Sequence, residues 1–176
     1  MKEIGIWGEK LVGRWLQIQD YELLQQNWRC RWGEIDLIAQ ERVSKAIAFV
    51  EVKTRSKNNW DENGLLAIDS AKQEKIIKTA SLFLAKYPQL AELPCRFDVA
   101  LVSYQKCLAL RGQTPRRRQA QTKALDARNA DLAEGAKERK KIDVKEIARL
   151  TIGQAVDIEQ WQVTIENYLQ SAFDLS

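Results

Sequence analysis

Two charged residues end an apolar run that is otherwise suited to the interior of a sheet. Residues 46–50 read AIAFV, and the chain continues directly as Glu51, Val52 and Lys53. Because side chains two positions apart lie on the same face of a strand, Glu51 and Lys53 share one face. Burying an ion without compensation costs several kcal/mol, so both charges require a partner: each other, another side chain or a metal ion.

The preceding apolar run contains a second carboxylate. Residues 33–38 read GEIDLI, which predicts a strand with its two acidic side chains on one face and Ile35 and Leu37 on the other. If this run and the next one form a hairpin, Asp36 becomes the neighbour of Glu51. Two carboxylates then converge at one end of the hairpin.

Such a hairpin predicts a site for one hard divalent cation, Mg²⁺ or Mn²⁺. Asp36 and Glu51 supply carboxylate oxygens, and the backbone carbonyl of Val52 completes the predicted ligand set, at about 2.1 Å for magnesium. Lys53 then lies where it holds, or helps to deprotonate, a metal-bound water that attacks a phosphodiester. The alternative is a surface Glu–Lys pair across neighbouring strands, which is common and contributes little to stability.

Several classes of protein are excluded by residue types that the chain lacks. It contains no histidine, which removes Ser-His-Asp and Cys-His nucleophilic machinery and every histidine-ligated zinc motif. It also has no Gly-rich phosphate loop of the Walker or dinucleotide type. The three cysteines, Cys30, Cys95 and Cys107, are odd in number and far apart, so we expect free, packed thiols. Catalysis is therefore expected to use carboxylates, lysine or a metal ion.

Size and composition indicate one domain. With 176 residues, of which 45% are hydrophobic and 30% charged, the chain is long enough for a single two-layer core. The first ten residues mix charged and apolar side chains, without a run suited to a signal peptide or a membrane span. We therefore expect a cytoplasmic protein that does not enter a membrane.

The positive charge is concentrated in one segment. The whole chain carries a net charge of +4, but residues 111–146 contain 11 Lys or Arg and 6 Asp or Glu, which gives +5 there and −1 elsewhere. Few large apolar residues occur in this segment, which predicts a flexible insertion in a domain formed by residues 1–110 and 147–176. It is either a solvated loop without function or an arm that attracts nucleic acid.

Periodicity predicts the elements that position the candidate residues. The first helix, over 3–18, is indicated by an apolar stripe of Ile4, Trp7, Leu11, Trp15 and Ile18. Gly5 and Gly8 beside this stripe are expected to let a neighbour approach closely. The order continues with strands over 21–30, 34–40 and 46–55, a helix over 67–87, a strand over 96–104, and a last strand from Trp161 followed by a short segment from Glu166.

A set of short segments around these residues carries a family resemblance. They are GIWGE at 5–9, Tyr21, NWRCRWGEIDLIA at 27–39, FVEVKTR at 49–55, KQ at 72–73 and RFDV at 96–99. In these segments the chain resembles the YraN-like bacterial proteins of the PD-(D/E)xK nuclease superfamily, which also contains archaeal Holliday junction resolvases. The resemblance covers residues 3–104 and 166–173 and does not cover the basic segment.

The resemblance implies a fold, a catalytic set and an activity. The implied fold is α/β, a restriction-endonuclease-like αβββαβ core whose mixed sheet is flanked by helices, with Asp36, Glu51 and Lys53 at the catalytic positions. In resolvase-like members a glutamate of the first helix points into the metal site, and Glu9 matches it; the alternative is an exposed helical glutamate. The implied activity is that of a divalent-metal-dependent endonuclease acting on DNA, including branched or structured DNA.

Other residues are assigned as contacts. The candidate nucleic-acid-binding residues are Arg55, Lys72, Arg116, Arg117 and Arg118, with ordinary solvated positions as the alternative. Glu34 is expected in a strand-edge salt bridge rather than as an outer metal ligand, and Arg96 with Asp98 is expected to be a structural pair. Trp28 and Trp32 either stack on bases or pack beside the hairpin.

Two other functional classes stay open at this point. One is a non-catalytic module that binds nucleic acid, and the other is an interaction protein whose basic segment docks an acidic partner. The sequence does not distinguish DNA from RNA or a monomer from a homodimer.

Overall fold

The computed structural model describes residues 2–57, 68–107 and 150–173. Its elements, in chain order, are α1 (Lys2–Ile18), β1 (Tyr21–Cys30), β2 (Gly33–Glu41), β3 (Ile47–Ser56), α2 (Ser70–Lys86), a 3₁₀ turn (Pro88–Leu90), β4 (Cys95–Lys106), β5 (Ala155–Ile158) and β6 (Trp161–Phe173). The insertion predicted at 111–146, with Arg116, Arg117 and Arg118, lies outside these ranges. The helices in these ranges are too short or too polar to span a membrane.

The six strands of the described ranges form one mixed sheet in the order β1-β2-β3-β4-β6-β5. β3 and β4 run parallel, and the other neighbouring pairs are antiparallel. Parallel neighbours need a crossover connection, and α2 lies between β3 and β4 in the chain. The predicted α/β fold, with its αβββαβ core and a mixed sheet flanked by helices, is confirmed.

The helix α1 covers one face of the sheet. Its buried Leu11 and Leu16 pack in one apolar cluster with Ala48 and Val50 of β3. The alternate residues of β3 point to the opposite face, where a second cluster lies. The two sides of β3 are thus buried by different parts of the chain, as the continuous apolar run at 46–50 predicts.

A glycine sets the distance between α1 and β3. A Cβ at Gly8 would overlap with Oγ1 of Thr54 on β3, so a larger residue requires the helix or this side chain to move. The predicted close approach is therefore present at Gly8. At Gly5 the prediction is wrong, because no heavy atom lies within 4 Å of such a Cβ.

The helix α2 covers the other face through aromatic packing. Phe83 lies edge-on to Phe49 of β3, with ring centroids 5.9 Å apart, and Phe49 stacks on Phe97 of β4 at 5.6 Å. Asp69 caps the start of α2 by accepting a hydrogen bond from the backbone N–H of Lys72 at 2.7 Å. Such a cap stabilises a helix by about 1 kcal/mol and fixes the residue at which it begins.

The C-terminal part of the chain is more extended than predicted. β5 was not predicted, and β6 continues to Phe173 where only a short segment from Glu166 was expected. β6 pairs with β4 from Trp161, opposite Lys106, to Phe173, opposite Phe97. Residues 166–171 read ENYLQS, which lacks an apolar alternation, so the long neighbouring strand rather than local propensity makes this part a strand.

A buried polar network joins β4 to its neighbours and confirms the predicted Arg96–Asp98 pair. Asp98 is fully buried, and its Oδ2 accepts hydrogen bonds from Nε of Arg96 at 3.0 Å and from the hydroxyl of Tyr168 at 2.7 Å. Its Oδ1 accepts a hydrogen bond from the backbone N–H of Ser171 at 3.0 Å. Arg96 also donates to the hydroxyl of Tyr21. The network therefore ties the end of β6 and the start of β1 to β4.

The cysteines are free, as predicted. Cys30 and Cys95 are half-buried, but Cys107 is exposed, so the expectation of a packed thiol is wrong there. Cys107 follows the last residue of β4 and lies beyond the apolar clusters, which explains its exposure.

Candidate metal centre

Asp36 lies at the point where β2 and β3 separate. The main-chain pairing of these strands ends at Leu37, which lies opposite Val50. One residue earlier on β2, the carboxylate Oδ2 of Asp36 accepts a hydrogen bond from the backbone N–H of Val52 at 2.7 Å. A side chain therefore replaces a main-chain contact and holds Asp36, only 9% exposed, against β3.

The predicted alternation of β2 is wrong beside Asp36. Ile35 packs in the cluster under α2 and Leu37 in the cluster under α1, so these two side chains lie on opposite faces. On β1, Asn27 lies between the residues that pair with Ile35 and Leu37, and its φ is 51°. A left-handed residue interrupts the pleat locally, and this interruption explains why a strict period of two fails here.

Glu51 receives two lysine side chains. Its Oε1 lies 2.8 Å from Nζ of Lys53 and 3.0 Å from Nζ of Lys72. Glu51 is only 6% exposed, so these ion pairs offset a large cost of removing the carboxylate from water. The contact between Glu51 and Lys53 on one face of β3 agrees with the sequence analysis, whereas Lys72 comes from α2.

The other oxygen of Glu51 lacks a partner. Oε2 is buried and receives no hydrogen bond within the described part of the chain. A buried acceptor without a partner costs about 1–3 kcal/mol, and more when it is charged. A cation bound at Oε2 would remove this cost.

The raised pKa of Asp36 also indicates that a positive charge is needed at this site. Burial, followed by the charge of Glu51 and more weakly that of Glu9, raises the pKa of Asp36 to about 7. The N–H of Val52 and the ammonium of Lys72 act in the opposite direction without cancelling this rise. Two buried carboxylates that repel each other are compatible with full ionisation when a divalent cation lies between them.

Glu9 lies at the edge of this arrangement. It is half-buried on α1, and its Oε2 accepts a hydrogen bond from Nδ2 of Asn27 at 2.9 Å. Its charge contributes to the raised pKa of Asp36, so α1 brings a carboxylate towards the two central ones. A direct role of Glu9 in catalysis stays a prediction.

The donor set fits Mg²⁺ or Mn²⁺. Within the described ranges, no three Asp, Glu, Cys or His side chains are grouped so that they could hold a metal ion together. Magnesium does not require such a cage, since it is commonly bound by one or two carboxylates and keeps several waters. Asp36 and the free oxygen of Glu51 meet this requirement, with the carbonyl of Val52 as the predicted third ligand.

The other predicted residues are distributed around the hairpin. Glu34 forms its expected strand-edge salt bridge with Arg29, at 2.8 Å. Trp28 packs edge-on against Phe83, with centroids 5.6 Å apart, and Trp32 is 42% exposed. Arg55 is half-buried two positions after Lys53, on the same face of β3.

Sequence reasoning missed two contacts in this region. Lys72 was expected at a phosphate or in solvent, but it contacts Glu51. The sequence feature that could have indicated this contact is Asp69, because this capping residue fixes where α2 begins. The bond between Asn27 and Glu9 joins residues 18 positions apart, and no local pattern indicates it.

The sheet order and the residues that meet where β2 and β3 separate define an α/β protein with a nuclease-like core. Residues 8–102 match the family described as Uncharacterised protein family UPF0102, and the chain belongs to this family. The matched residues include Asp36, Glu51 and Lys53, and also the start of α2.

Relatives with the same description come from several organisms. A UPF0102 protein of Trichodesmium erythraeum is 38% identical over 184 residues, covering 97% of this chain and 88% of the relative. One from Acaryochloris marina is 38% identical over 180 residues, covering 98% and 91%. One from Synechocystis is 55% identical over 105 residues, covering 60% of this chain and 70% of the relative.

Proposed function

We propose that this protein is a divalent-metal-dependent endonuclease that hydrolyses phosphodiester bonds in DNA, with branched or structured DNA among its substrates. The observation that carries the proposal is the buried pair of carboxylates at Asp36 and Glu51. Oε2 of Glu51 has no partner among the described residues, and the ammonium of Lys53 contacts the other oxygen of Glu51. A surface Glu–Lys pair does not account for it, because Glu51 is only 6% exposed.

Each residue has a separate task in the proposed reaction. Asp36 and Glu51 would hold Mg²⁺ or Mn²⁺, which when bound lowers the pKa of a water and neutralises charge on the phosphate. The backbone N–H of Val52 fixes the carboxylate of Asp36 through its bond to Oδ2. Lys53 donates hydrogen bonds from Nζ, which suits it to orient the attacking water or a phosphate oxygen.

Lys72 positions the central carboxylate. It shares Oε1 of Glu51 with Lys53, so both ammonium groups are on one oxygen and the other oxygen is left for a cation. Since a charge-assisted hydrogen bond restricts rotation of the carboxylate, the direction of Oε2 is fixed before any ligand binds. This division of the two oxygens supports a metal site rather than a simple ion pair.

The test is a cleavage assay on a panel of DNAs. Purified protein is incubated with duplex, single-stranded, flapped and four-way-branched DNA in Mg²⁺, in Mn²⁺ and in EDTA. We expect metal-dependent cleavage of at least one substrate, lost in Asp36→Asn and retained in the control Glu34→Gln, whose side chain is on the same strand and exposed. No cleavage of any DNA, with equal DNA affinity in Mg²⁺ and in EDTA, would instead favour a non-catalytic binding module.

The basic segment allows a second, separate test. Its charge of +5 suits an arm that adds affinity for DNA without taking part in the chemistry. If three to five of its charges contact phosphate, deletion of residues 111–146 would lower the slope of log affinity against log salt by about 2.7 to 4.5 on duplex DNA. Equal salt slopes for the full chain and the deletion variant would exclude a contact between this segment and DNA. A nuclease-resistant protein complex that is lost on deletion would instead favour an acidic protein partner.

A further inference from the structure

Three lysines follow one another along the side of α2 that is next to the β1–β2 hairpin. Lys72, Lys75 and Lys78 are three residues apart, so they lie on successive turns and span about 9 Å at 1.5 Å per residue. At one end, Lys72 contacts Glu51 of the candidate metal centre. We call these three side chains the lysine track.

The lysine track leads from the metal centre to the turn of the hairpin. The Cβ of Lys75 lies 4.0 Å from the place that a Cβ would take at Gly33, the first residue of β2. Nζ of Lys78 lies 5.1 Å from the centre of the Trp32 ring in the turn. Asp36 lies three residues after Gly33 on the same strand, so β2 and α2 run side by side along this path.

The hairpin turn adds cations to the far end of the lysine track. The guanidinium of Arg31 lies 5.1 Å from the centre of the same Trp32 ring that Lys78 approaches. Trp32 therefore has two cationic side chains in cation–π contact at the surface. Like charges around one ring repel each other, and an anionic ligand bound at this surface would reduce that repulsion.

The surface has more cations than its carboxylates can neutralise. Four cations lie on it, namely the lysine track and Arg31. Glu51 pairs with Lys72 at 3.0 Å, and Glu74 pairs with Lys78 at 2.5 Å. Arg31 and Lys75 have no ion-pair partner among the described residues, and both are exposed.

From these contacts we propose that the lysine track and Arg31 bind the sugar-phosphate backbone of one nucleic-acid strand and lead it to the metal centre. A phosphodiester backbone fits because its charges repeat along a line, as these cations do. The proposal rests on the proposed function and adds the surface through which the site receives its substrate. It places the strand on the α2 side of the sheet, away from α1.

The test compares two charge-reversed variants of the full chain. Arg31→Glu with Lys75→Glu changes the proposed surface at exposed residues without an ion-pair partner in the described ranges. The control is Arg14→Glu with Lys45→Glu, which makes the same charge change at exposed residues on α1 and on the turn before β3. Binding of fluorescein-labelled single-stranded and duplex DNA is measured by anisotropy in EDTA, over a range of NaCl concentrations.

We expect the track variant to bind at least about tenfold more weakly than wild type at low salt, with a salt slope smaller by about 1.4 on single strands or 1.8 on duplex. These values correspond to two lost phosphate contacts. The control variant keeps the wild-type slope. A loss on one form of DNA alone identifies the form that occupies the surface and supports the proposal.

Three results would overturn the proposal: no DNA binding by wild type, an unchanged slope in the track variant, or an equal loss in the control. Melting curves establish that each variant is folded, and Arg31→Gln with Lys75→Gln replaces the track variant if charge reversal unfolds it. Because binding is measured in EDTA, a failure of the proposed nuclease activity is seen separately, as absent cleavage in Mg²⁺ by a protein that still binds.

Discussion

Lys72 on α2 places its ammonium nitrogen 3.0 Å from Oε1 of Glu51 on β3. This ion pair joins the helix to the strand that carries the catalytic candidates, and it occurs next to the capped start of α2. The position of one helix terminus therefore affects the charge balance of the site. A substitution that moves the start of α2 is therefore expected to change the charge balance around Glu51.

Divalent metal binding is the first property to measure. We expect isothermal calorimetry to show binding of Mg²⁺ or Mn²⁺ to the wild-type protein and its loss in Asp36→Asn combined with Glu51→Gln. The reason is that these substitutions remove the two carboxylates and the unpartnered Oε2. Glu34→Gln is the control and should bind as wild type does. A double variant that binds metal with unchanged affinity would place the site elsewhere.

Lys53 is expected to affect chemistry more than structure. Lys53→Ala should fold and bind metal, because Lys72 still contacts Oε1 of Glu51. The rate of cleavage should fall by ~10²-fold or more, the usual scale for a group that transfers or orients a proton. Lys45→Ala, at an exposed turn residue, serves as the control under single-turnover conditions. A folded Lys53→Ala protein that cuts at the wild-type rate would exclude this lysine from the mechanism and indicate a contaminating nuclease.

The raised pKa of Asp36 predicts how stability changes with pH when no metal is bound. Folding raises this pKa from 3.8 to about 7, so between these values the folded state binds more protons than the unfolded state. The free energy of unfolding should therefore fall as pH rises through this window, by about 4 kcal/mol at most. Urea titrations in EDTA from pH 4 to pH 8 can measure it.

The variant Asp36→Asn provides the comparison for that titration. It should remove most of the pH dependence and be more stable than wild type at pH 8, because the costly charge is absent. Glu34→Gln should keep the wild-type dependence, since Glu34 is exposed and paired with Arg29. If Asp36→Asn and wild type gave the same curve, the carboxylate would not titrate in this window.

Gly8 is predicted to control how closely α1 packs on β3. In Gly8→Ala the new Cβ would overlap with Oγ1 of Thr54, so we expect the free energy of unfolding to fall by about 1–3 kcal/mol. Adding Thr54→Ala should restore much of the loss, since the next contact of that Cβ is 3.4 Å, to Cβ of Thr54. Urea denaturation of the single and double variants measures both effects.

Gly5→Ala is the matched control for this prediction. The same helix has open space at Gly5, with no atom within 4 Å of an added Cβ. Because alanine is a better helix former than glycine, the control should be neutral or more stable by up to about 1 kcal/mol. Equal destabilisation of Gly5→Ala and Gly8→Ala would show that the contact with Thr54 is not the cause.

The sequence by itself determined most of the element order and the identity of the central residues. An apolar run that ends in Glu51 and Lys53 cannot be buried without compensation, and a period of two places both on one face. The structure places Lys53 2.8 Å from Glu51, as this pattern predicts. These properties depend on residues close in the chain, which is why local patterns were sufficient.

Only the tertiary structure decided which distant groups complete the site. The direction of Asp36 depends on the left-handed Asn27 of the neighbouring strand and on the N–H of Val52, 16 residues away. Lys72 reaches Glu51 because α2 packs across β3, and the polar end of β6 is a strand because β4 pairs with it. Such contacts follow from packing between elements, and sequence periodicity describes only one element at a time.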